Sequence, residues 1–267
     1  MLDAATIADL AGRLDDAERT RVPIRQLSLA HPEMTVDDAY AVQREWVDRK
    51  VAEGQRLIGH KVGLTSKVMQ LSLGIDEPDH GALLDRMRFA DGGDIPFDRF
   101  IKPRVEIELA FVLARDLGGP DCTATHVLDA TAYVTPAMEI LDARVQMTDP
   151  DTGHVRTIVD TISDNAADAG IVLGVIEVKP YDMDLRWIPG LLLQNGTIVE
   201  SGVSAAVLDH PANAVAWLAN RLSALGVTLL AGQVVLAGSF IRAVGVDRGD
   251  ELRADYGALG TIACRFV

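Results

Sequence analysis

The segment PRVEIELAFVL, residues 103–113, is the clearest indication of the fold in this sequence. Apolar and polar side chains alternate along it, a period of two residues that is typical of a β-strand with one buried face. Because successive side chains of a strand point to opposite faces, the apolar face consists of Val105, Ile107, Leu109, Phe111 and Leu113. The other face carries Glu106 and Glu108 and continues as Ala110 and Val112. The pattern therefore predicts a strand that packs one face on a core and presents two acids on the other.

Glu106 and Glu108 are two residues apart, which on a strand separates their Cα atoms by about 6.6 Å. Two carboxylates at this spacing repel each other, and one of them takes up a proton unless a cation neutralises the pair. A solvated strand face with two acids is the more common arrangement for this spacing. However, the apolar continuation of the same face favours a sheltered site, in which a divalent cation with oxygen ligands would remove the repulsion.

The composition is that of a globular protein and narrows the classes of partner. The chain has 267 residues, of which 48% are hydrophobic and 24% charged, enough for one large domain or a small domain and a larger one. A formal net charge of −14 disfavours binding to nucleic acid or to an anionic membrane. The first residues form no signal peptide or transmembrane pattern. Cys122 and Cys264 lack metal-ligand spacing and suggest reduced thiols, so we expect a cytoplasmic protein.

Helical patterns dominate the sequence before the PRVEIELAFVL strand. Apolar residues at helical spacing predict a helix over residues 4–19. Thr35 with Asp38 three residues later is typical of the capped start of a second helix, predicted over residues 35–53. Leu57–Gly63 is then predicted to be a short strand.

A cap at Thr65 or Ser66 and a stop at Gly74 predict one more helix. After it, strands separated by Gly, Asp and Pro turns replace the helices. We therefore expect a helical N-terminal region over residues 1–75 and a β-rich catalytic domain over residues 76–267, which can also be counted as one domain. Helices at one end and strands afterwards favour an α+β fold over a doubly wound α/β sheet.

Short elements follow the PRVEIELAFVL strand. A helix is predicted over residues 124–133, with Pro136 preventing its continuation, and a strand over residues 137–143. A short helix over residues 164–169 leads into an apolar strand over residues 171–175. The remaining predicted elements are a hairpin turn at Asn195-Gly196, a helix over residues 212–225 and C-terminal strands joined by glycine turns.

Glu139 is a third carboxylate of interest, because it lies among the apolar residues of the strand predicted over residues 137–143. A lone glutamate is rarely buried without a partner. If its strand lies beside the PRVEIELAFVL strand, three carboxylates can meet, which suits Mg²⁺ or Mn²⁺ with positions left open for a substrate. An ion pair between Glu139 and Arg144 at a strand end explains the same pattern, and the spacing does not decide between the two.

Lys61 and Asp79 are two charged residues that could take part in chemistry. Lys61 lies inside the Leu57–Gly63 strand, where a lysine often has a shifted pKa or a carboxylate partner. A lysine that extends its ammonium group from an edge strand into solvent is the simpler alternative. Asp79 stands where a turn is expected, and a plain turn residue is its simpler explanation.

Two polar dipeptides are candidates for binding. Ser163 and Asp164 fit the N-cap of a short helix. Gly238 and Ser239 follow an apolar strand and could present backbone N–H groups to a carboxylate, although a simple turn explains them as well. The histidines of the chain show no spacing that is typical of a zinc site.

Ordered motifs along nearly the whole chain resemble the hydratase/decarboxylase branch of the fumarylacetoacetate hydrolase superfamily. These motifs are HKVGLTSKVMQ (60–70), IDEPDHGALLD (75–85), PRVEIELAFVL (103–113), AMEILDAR (137–144), TISDNAADAGIVLG (161–174), LLLQNGTIVESG (191–202) and VAWLANRL (215–222). Within the branch, RFIKPRVEIELAFVLARDL, RTIVDTISDNAA and DYGALGTIACRFV are most similar to members that hydrate a seven-carbon diacid of homoprotocatechuate degradation. His80 departs from the family pattern, which has an aromatic residue such as Tyr or Phe at this place.

The resemblance implies a mixed β-roll or sandwich of the fumarylacetoacetase type with a helical N-terminal region. It also implies a divalent metal, usually Mg²⁺ with Mn²⁺ as an alternative, and homo-oligomers that are pentamers or decamers. By position, Glu106, Glu108 and Glu139 match the family's metal ligands. Lys61 matches the active-site lysine, and Asp79 matches the acid that handles protons.

The same resemblance suggests residues that contact the substrate. Gly238 and Ser239 lie where the family helps to hold the 2-oxo acid end. Further candidates for substrate contacts are Ser163, Asp164 and Arg144. If the substrate has a distal carboxylate, it needs a cation, for which the candidates are Arg144, Arg156 and Arg242.

The implied function is that of a metal-dependent carbon–oxygen lyase in aromatic meta-cleavage catabolism. Such an enzyme adds water to 2-oxo-hept-4-ene-1,7-dioate or its 2-hydroxydienoate tautomer and forms a 4-hydroxy-2-oxo acid. The alternatives are decarboxylation of a 2-oxo-3-enedioate of the 4-oxalocrotonate type and hydration of 2-hydroxypentadienoate. The expected partner is a small 2-oxo acid or diacid, with no nucleic acid and no membrane.

Overall fold

The computed structural model of the protein describes residues 1–66, 70, 75 and 77–267. Most of the helix predicted between Thr65 and Gly74 lies outside these described residues. The described part contains six α-helices and thirteen β-strands. Among these helices, none is both long and apolar enough to cross a membrane.

Three helices form the N-terminal region: α1 (Ala4–Thr20), α2 (Leu27–Ala30) and α3 (Val36–Ala52). Thr35 and Asp38 cap α3 reciprocally, because the Asp38 N–H donates to Thr35 Oγ1 over 3.2 Å and the Thr35 N–H donates to Asp38 Oδ2 over 3.0 Å. The two long helices, α1 and α3, pack their apolar sides together in a core of their own. Both long helices predicted in this region are confirmed.

Strands dominate the rest of the chain. In chain order they are β1 (Leu57–Gly63), β2 (Asp79–Leu84), β3 (Arg88–Phe89), β4 (Gly93–Ile95), β5 (Arg104–Leu113), β6 (Thr131–Leu141), β7 (Asp168–Leu173), β8 (Pro189–Gln194), β9 (Thr197–Val203), β10 (Val234–Leu236), β11 (Val244–Gly245), β12 (Glu251–Asp255) and β13 (Thr261–Phe266). The remaining helices are α4 (Ala124–Ala130), α5 (Ile158–Ser163) and α6 (Pro211–Ser223).

The strands form two curled sheets. The larger sheet has eight strands in the order β2–β1–β10–β5–β6–β7–β3, with β11 also paired to β5, and the smaller has five in the order β4–β13–β12–β8–β9. β5, the PRVEIELAFVL strand, occupies the middle of the larger sheet. This mixed architecture with N-terminal helices confirms the predicted α+β fold class. β1 pairs within the larger sheet although it lies in the predicted N-terminal region, and the division at residue 75 stays a prediction.

The main core lies between the two sheets. All five apolar side chains of β5 are at most 2% exposed and belong to this core, as the alternation predicts. Leu252 and Ile262 of the smaller sheet and Leu218 of α6 contribute to the same core. Cys122 and Cys264 are buried in it as free thiols. The opposite face of β5 therefore remains for the two acids.

Pro136 lies inside β6 and does not separate a helix from a strand, so this prediction is wrong. The predicted helix over residues 124–133 ends at Ala130, and the strand begins at Thr131. On the β7 side, the Pro136 carbonyl accepts the N–H of Gly174 over 2.8 Å. β7 has ended one residue earlier, so the N–H that proline lacks removes no regular hydrogen bond of the sheet.

The short helix predicted over residues 164–169 is present only as a 3₁₀ turn over Asn165–Ala167, whose residues have positive φ angles, and the α-helix α5 lies earlier in the chain. Thr157 and Asp160 start α5, and the Thr157 N–H donates to Asp160 Oδ2 over 2.8 Å. Asp164 follows the last residue of this helix and is its C-cap. Asp164 also stands at the N-cap position of the 3₁₀ turn, as predicted, but its side chain makes no capping hydrogen bond, because its carboxylate binds an arginine.

The hairpin turn predicted at Asn195-Gly196 is confirmed. It joins β8 to β9, and its two residues have φ angles of 53° and 80°. Positive φ at both central positions is the geometry that matches the twist of the flanking strands. Asparagine and glycine are the residues that tolerate it best.

Candidate active site

Three glutamates meet where β5 and β6 lie side by side. The antiparallel register pairs Glu106 directly with Glu139, and Glu108 lies a diagonal step away, opposite Ala137. Paired residues point to the same face of a sheet, so the three carboxylates project together on the side away from the main core. Each offers one oxygen atom, and these atoms lie within 4.8 Å of one another. We name Glu106, Glu108 and Glu139 the glutamate cluster.

Lys61 and Asp79 reach the same face from two further strands. β10 lies between β5 and β1, and the registers align Ala110 with Leu236 and Leu236 with Lys61. Asp79 is the first residue of β2 and pairs with Gly63, which shares a face of β1 with Lys61. Both side chains therefore project on the side of the sheet that carries the glutamate cluster.

Lys61 forms a buried ion pair with the glutamate cluster. Its Nζ atom is 3.0 Å from Glu139 Oε1, and the two side chains are 4% and 0% exposed. The lack of a side chain at Gly63 makes room for Asp79 beside the same ammonium group. A Cβ atom there would lie 2.2 Å from Asp79 Oδ1 and 3.2 Å from Lys61 Nζ. Lys61 is thus enclosed by carboxylates, and the alternative of a lysine that extends into solvent is wrong.

The burial of several negative charges raises the pKa values of the carboxyl groups. Removal from water, followed by the charge of Glu139, raises the pKa of Glu106 from 4.5 to about 7. The same two causes raise the pKa of Glu108 well above its ordinary value. The glutamate cluster therefore holds protons near neutral pH unless a cation takes their place.

Lys61 and Asp79 respond to this environment in opposite ways. Burial lowers the pKa of Lys61, but the charges of Glu139 and Asp79 outweigh it, and the pKa lies above its ordinary value. Burial raises the pKa of Asp79 to about 6, although the Lys61 charge opposes this rise. Lys61 is consequently a lasting cation, whereas Asp79 can hold or release a proton near neutral pH.

The glutamate cluster has the chemistry of a divalent-cation site. Glu108 Oε1 and Glu139 Oε2 are buried and have no hydrogen-bond partner among the described residues, and the partner of Glu139 Oε1 is the Lys61 ammonium group. Buried charged oxygens are costly unless they are paired or bind a metal. Carboxylate oxygens are the ligands that Mg²⁺ and Mn²⁺ prefer. The residues present therefore fit a divalent metal.

Gly238 and Ser239 lie beside the cluster and are bound to protein groups. The Gly238 N–H donates to Glu108 Oε2 over 2.7 Å. Glycine is required here, because φ is 107° and a Cβ atom would lie 2.3 Å from Thr65 Oγ1. The Ser239 hydroxyl lies 3.0 and 3.3 Å from two backbone carbonyl oxygens. Gly238 thus orients a glutamate of the cluster, and contact of either residue with a substrate stays a prediction.

Ser163, Asp164 and Arg144 form a separate buried group. The Ser163 hydroxyl donates to the carbonyl of Val159 over 2.8 Å. Arg144 forms an ion pair with the Asp164 carboxylate and donates through Nη2 to the Asp164 carbonyl over 2.7 Å. The alternative ion pair between Arg144 and Glu139 is therefore wrong. Because these polar groups already have protein partners, their contact with a substrate stays a prediction.

Asp168 is a further buried carboxylate near the cluster that the sequence did not reveal. A bulge between β6 and β7 pairs Leu141 with Asp168 instead of Ala169, which turns Asp168 to the face of the cluster. Both of its carboxylate oxygens are buried without a hydrogen-bond partner among residues that the structure describes. Burial and the charge of Glu139 raise its pKa well above the ordinary value. An acid among small residues is its only sequence signal, and that signal fits a turn equally well.

His80, which departs from the family pattern, points away from the cluster. It follows Asp79 on β2 and therefore projects from the opposite face. Its ring stacks on Tyr40 of α3, with 4.4 Å between the ring centroids. Burial lowers its pKa to about 3, so the ring is neutral at neutral pH. The departure changes the packing of a helix on β2 and leaves the cluster untouched.

Two curled sheets, the larger of which carries a cluster of carboxylates beside a lysine on the face away from the main core, define the class of this protein: a β-roll with a buried acidic site. Comparison with known families identifies it further. The family model described as Fumarylacetoacetate (FAA) hydrolase C-terminal matches residues 85–267. The chain belongs to the fumarylacetoacetate hydrolase family.

Individual relatives cover the whole chain, including the N-terminal helices. It is 58% identical over 267 residues, 100% of both chains, to 2-oxo-hept-4-ene-1,7-dioate hydratase of Escherichia coli. It is 40% identical over 258 residues, 97% of this chain and 94% of the other, to 2-keto-4-pentenoate hydratase of Paraburkholderia xenovorans (strain LB400). Among solved structures, 4-oxalocrotonate decarboxylase from Pseudomonas putida G7, complexed with magnesium and adipate, superimposes with a TM-score of 0.95. That comparison has 33% sequence identity and covers 100% of this chain and 99% of that one.

Proposed function

We propose that this protein is a divalent-metal-dependent hydratase in aromatic meta-cleavage catabolism, in the degradation of homoprotocatechuate. It adds water to 2-oxo-hept-4-ene-1,7-dioate, or to its 2-hydroxydienoate tautomer, and forms a 4-hydroxy-2-oxo acid. The observation that carries the proposal is the glutamate cluster, in which Glu108 and Glu139 are buried and Glu106 is half-buried, with Lys61 paired to it and Asp79 alongside. The similarity to the E. coli hydratase supports the choice of substrate.

We propose Mg²⁺ as the metal, with Mn²⁺ as an alternative, held by Glu106, Glu108 and Glu139. The magnesium complex of the similar decarboxylase supports this choice. When bound, such a cation acts as a Lewis acid on the 2-oxo acid end of a substrate. The N–H of Gly238 keeps the Glu108 carboxylate in a fixed orientation, as groups behind a metal ligand commonly do.

Lys61 contributes a fixed positive charge. The carboxylates around it raise its pKa, which favours the protonated ammonium group at neutral pH. A cation held in a water-poor site stabilises negative charge that develops nearby, and the C2 oxygen of the substrate becomes negative when the enolate forms. We therefore assign Lys61 to the stabilisation of this oxygen.

Asp79 is the group that moves protons. To bring the double bond into conjugation with the C2 carbonyl, a proton must leave C3 and another must arrive at C5. The pKa of about 6 allows Asp79 to accept and donate a proton near neutral pH. Water then adds at C4 and a proton returns to C3, so the product contains one molecule of water more than the substrate.

An assay with the seven-carbon 2-hydroxydienoate diacid tests the proposal. In the presence of Mg²⁺ we expect a product that is heavier than the substrate by one water, and EDTA should abolish its formation. The decarboxylase is the second candidate, because its solved structure superimposes over the whole chain. Bicarbonate release from 4-oxalocrotonate with no hydrated product from the diacid would favour that candidate and contradict ours.

We also propose that the protein forms pentamers or decamers in the cytoplasm, on the resemblance alone. Gly238, Ser239, Ser163, Asp164 and Arg144 remain proposed substrate contacts on the same basis. Light scattering during size-exclusion chromatography measures the assembly directly. A monomer at micromolar concentration would contradict the first proposal.

A further inference from the structure

The structure separates the three arginines that are candidates for binding a distal carboxylate. Arg144 is enclosed and bound to Asp164. Arg242 has an 85% exposed side chain and is paired with Glu200 at 2.6 Å. Of these three, only Arg156 has a buried guanidinium nitrogen, Nη1, that lacks a hydrogen-bond partner among the described residues. Arg156 thus has an unused donor directed into the protein.

Arg156 lies on the loop between β6 and α5, and its backbone is fixed there. Its N–H donates to the carbonyl of Met147 over 2.8 Å, and the next residue begins the cap of α5. The charge of Arg156 lowers the pKa of Asp79, which puts the guanidinium group within electrostatic reach of the active site. Burial in turn lowers the pKa of Arg156, and the opposing charge of Asp164 does not outweigh this loss of water.

Arg104 is a second arginine near the same place. It precedes Glu106 by two residues on the same face of β5, about 6.6 Å away between Cα atoms. Its charge lowers the pKa of Glu106 and that of Arg156, so the two guanidinium groups are near each other. Within the described residues neither arginine forms an ion pair. The charges of Asp164 and Asp160 also act on Arg156, but no protein group accepts a hydrogen bond from its Nη1 atom among the described residues. This donor is therefore left for an anion that enters from outside the protein.

We propose that Arg156, with Arg104 beside it, binds the carboxylate at the far end of a diacid substrate and so selects diacids over monoacids. This inference rests on the proposed hydratase function and names the residues that set its substrate class. An extended seven-carbon diacid measures about 7.5 Å between its terminal carbons, given C–C bonds of about 1.5 Å. That length is comparable with the step along β5 from Glu106 to Arg104. The guanidinium group offers two parallel N–H donors to a carboxylate, and a monoacid would leave both arginines unpaired.

Turnover of two substrates tests the selection. With Arg156→Gln we expect kcat/KM for the seven-carbon diacid to fall about 100-fold, the loss typical of a missing charged hydrogen-bond partner. The value for the monoacid 2-hydroxyhexa-2,4-dienoate should change less than about threefold. Arg156→Lys should recover part of the loss for the diacid. Arg242→Gln is the matched control, since this exposed arginine should leave both values unchanged. Equal losses for both substrates would overturn the inference and indicate a structural role.

Binding of unreactive analogues separates this inference from the proposed function. 2-Oxoheptanedioate and 2-oxoheptanoate differ only in the terminal carboxylate, and calorimetry in Mg²⁺ measures both affinities. We expect the unaltered protein to prefer the diacid at least tenfold and Arg156→Gln to bind both alike. If the unaltered protein hydrates neither dienoate but shows this binding pattern, the proposed function fails and the diacid subsite stands. If Arg156→Gln keeps the preference, the subsite inference fails whatever the enzyme catalyses.

Discussion

Replacement of Glu106 by glutamine should make the metal-free protein more stable at pH 8, although it removes a proposed metal ligand. Burial and the charge of Glu139 raise the pKa of Glu106 from 4.5 to about 7. The unfolded chain keeps the ordinary pKa, so the carboxyl group ionises there at a lower pH than in the folded protein. Above pH 7 the folded protein must therefore hold a charge that it disfavours, and glutamine removes this charge while it keeps the shape.

The magnitude follows from the difference in pKa. Below pH 4.5 the carboxyl group is protonated in both states and has no effect on stability. As pH rises, the penalty grows, and it is complete above about pH 7. At about 1.4 kcal/mol for each pKa unit, the rise from 4.5 to about 7 lowers the free energy of unfolding by about 3 kcal/mol at pH 8. At pH 5 the same linkage gives only about 1 kcal/mol.

Urea unfolding in EDTA at both pH values measures the effect. The free energy of unfolding of Glu106→Gln should be higher than that of the unaltered protein by about 3 kcal/mol at pH 8 and by about 1 kcal/mol at pH 5. Excess Mg²⁺ should reduce or reverse the order, because a ligand at 100 times its Kd stabilises by about 2.7 kcal/mol and the intact cluster binds it better. Glu251→Gln, at an exposed position of β12, should change stability by less than about 0.5 kcal/mol. If the variant is less stable than the unaltered protein in EDTA at pH 8, or if the difference does not depend on pH, Glu106 does not carry this buried charge.

Three further variants test other parts of the site. Asp79→Asn should lower kcat by at least about 100-fold, with little change in the calorimetric affinity for 2-oxoheptanedioate. In the unaltered protein, kcat/KM should rise as the pH rises through about 6, because Asp79 must be ionised to accept the C3 proton. Gly238→Ala places a Cβ atom 2.3 Å from a threonine oxygen and should weaken Mg²⁺ binding and lower Tm. Gly232→Ala is the control: its φ is 84°, but no atom lies within 4 Å of the added Cβ, so it should cost only about 1–2 kcal/mol of strain. Equal effects of the two variants would contradict the role assigned to Gly238. Arg144→Met leaves the buried Asp164 carboxyl group without its ion-pair partner and should lower the free energy of unfolding by about 3–5 kcal/mol in urea. Unchanged stability would argue against a structural ion pair.

Local sequence patterns were sufficient to predict features that depend on a single strand, helix or turn. Alternation along residues 103–113 predicts both faces of β5, because burial of one face is a property of the strand alone. Thr35 with Asp38 predicts the start of α3, since a capping box needs only residues three apart. The same holds for the turn at Asn195-Gly196.

Features that depend on neighbouring strands were beyond these patterns. Pro136 predicts the end of a helix unless one knows that β7 stops beside it. The position of Asp168 depends on a β-bulge. The alternation of side chains within each strand does not reveal how two strands are aligned, so it could not predict this bulge. Glu139 could join the other two glutamates only through strand pairing, which the family resemblance supplied. The arginine pair of Arg104 and Arg156 likewise joins a strand to a distant loop.

The order of strands in the larger sheet has a consequence for synthesis of the chain. β5 and β6 are consecutive strands, so the glutamate cluster can assemble while the chain is still growing. β1, which carries Lys61, is separated from β5 by β10, and β10 consists of Val234–Leu236 near the C-terminal end. Such non-local strand pairing is slow, because the entropy of closing a long loop is lost before any stabilising contact forms. The Lys61 ammonium group therefore reaches the glutamate cluster only after β10 has been translated, and the catalytic site is complete only in a nearly full-length chain.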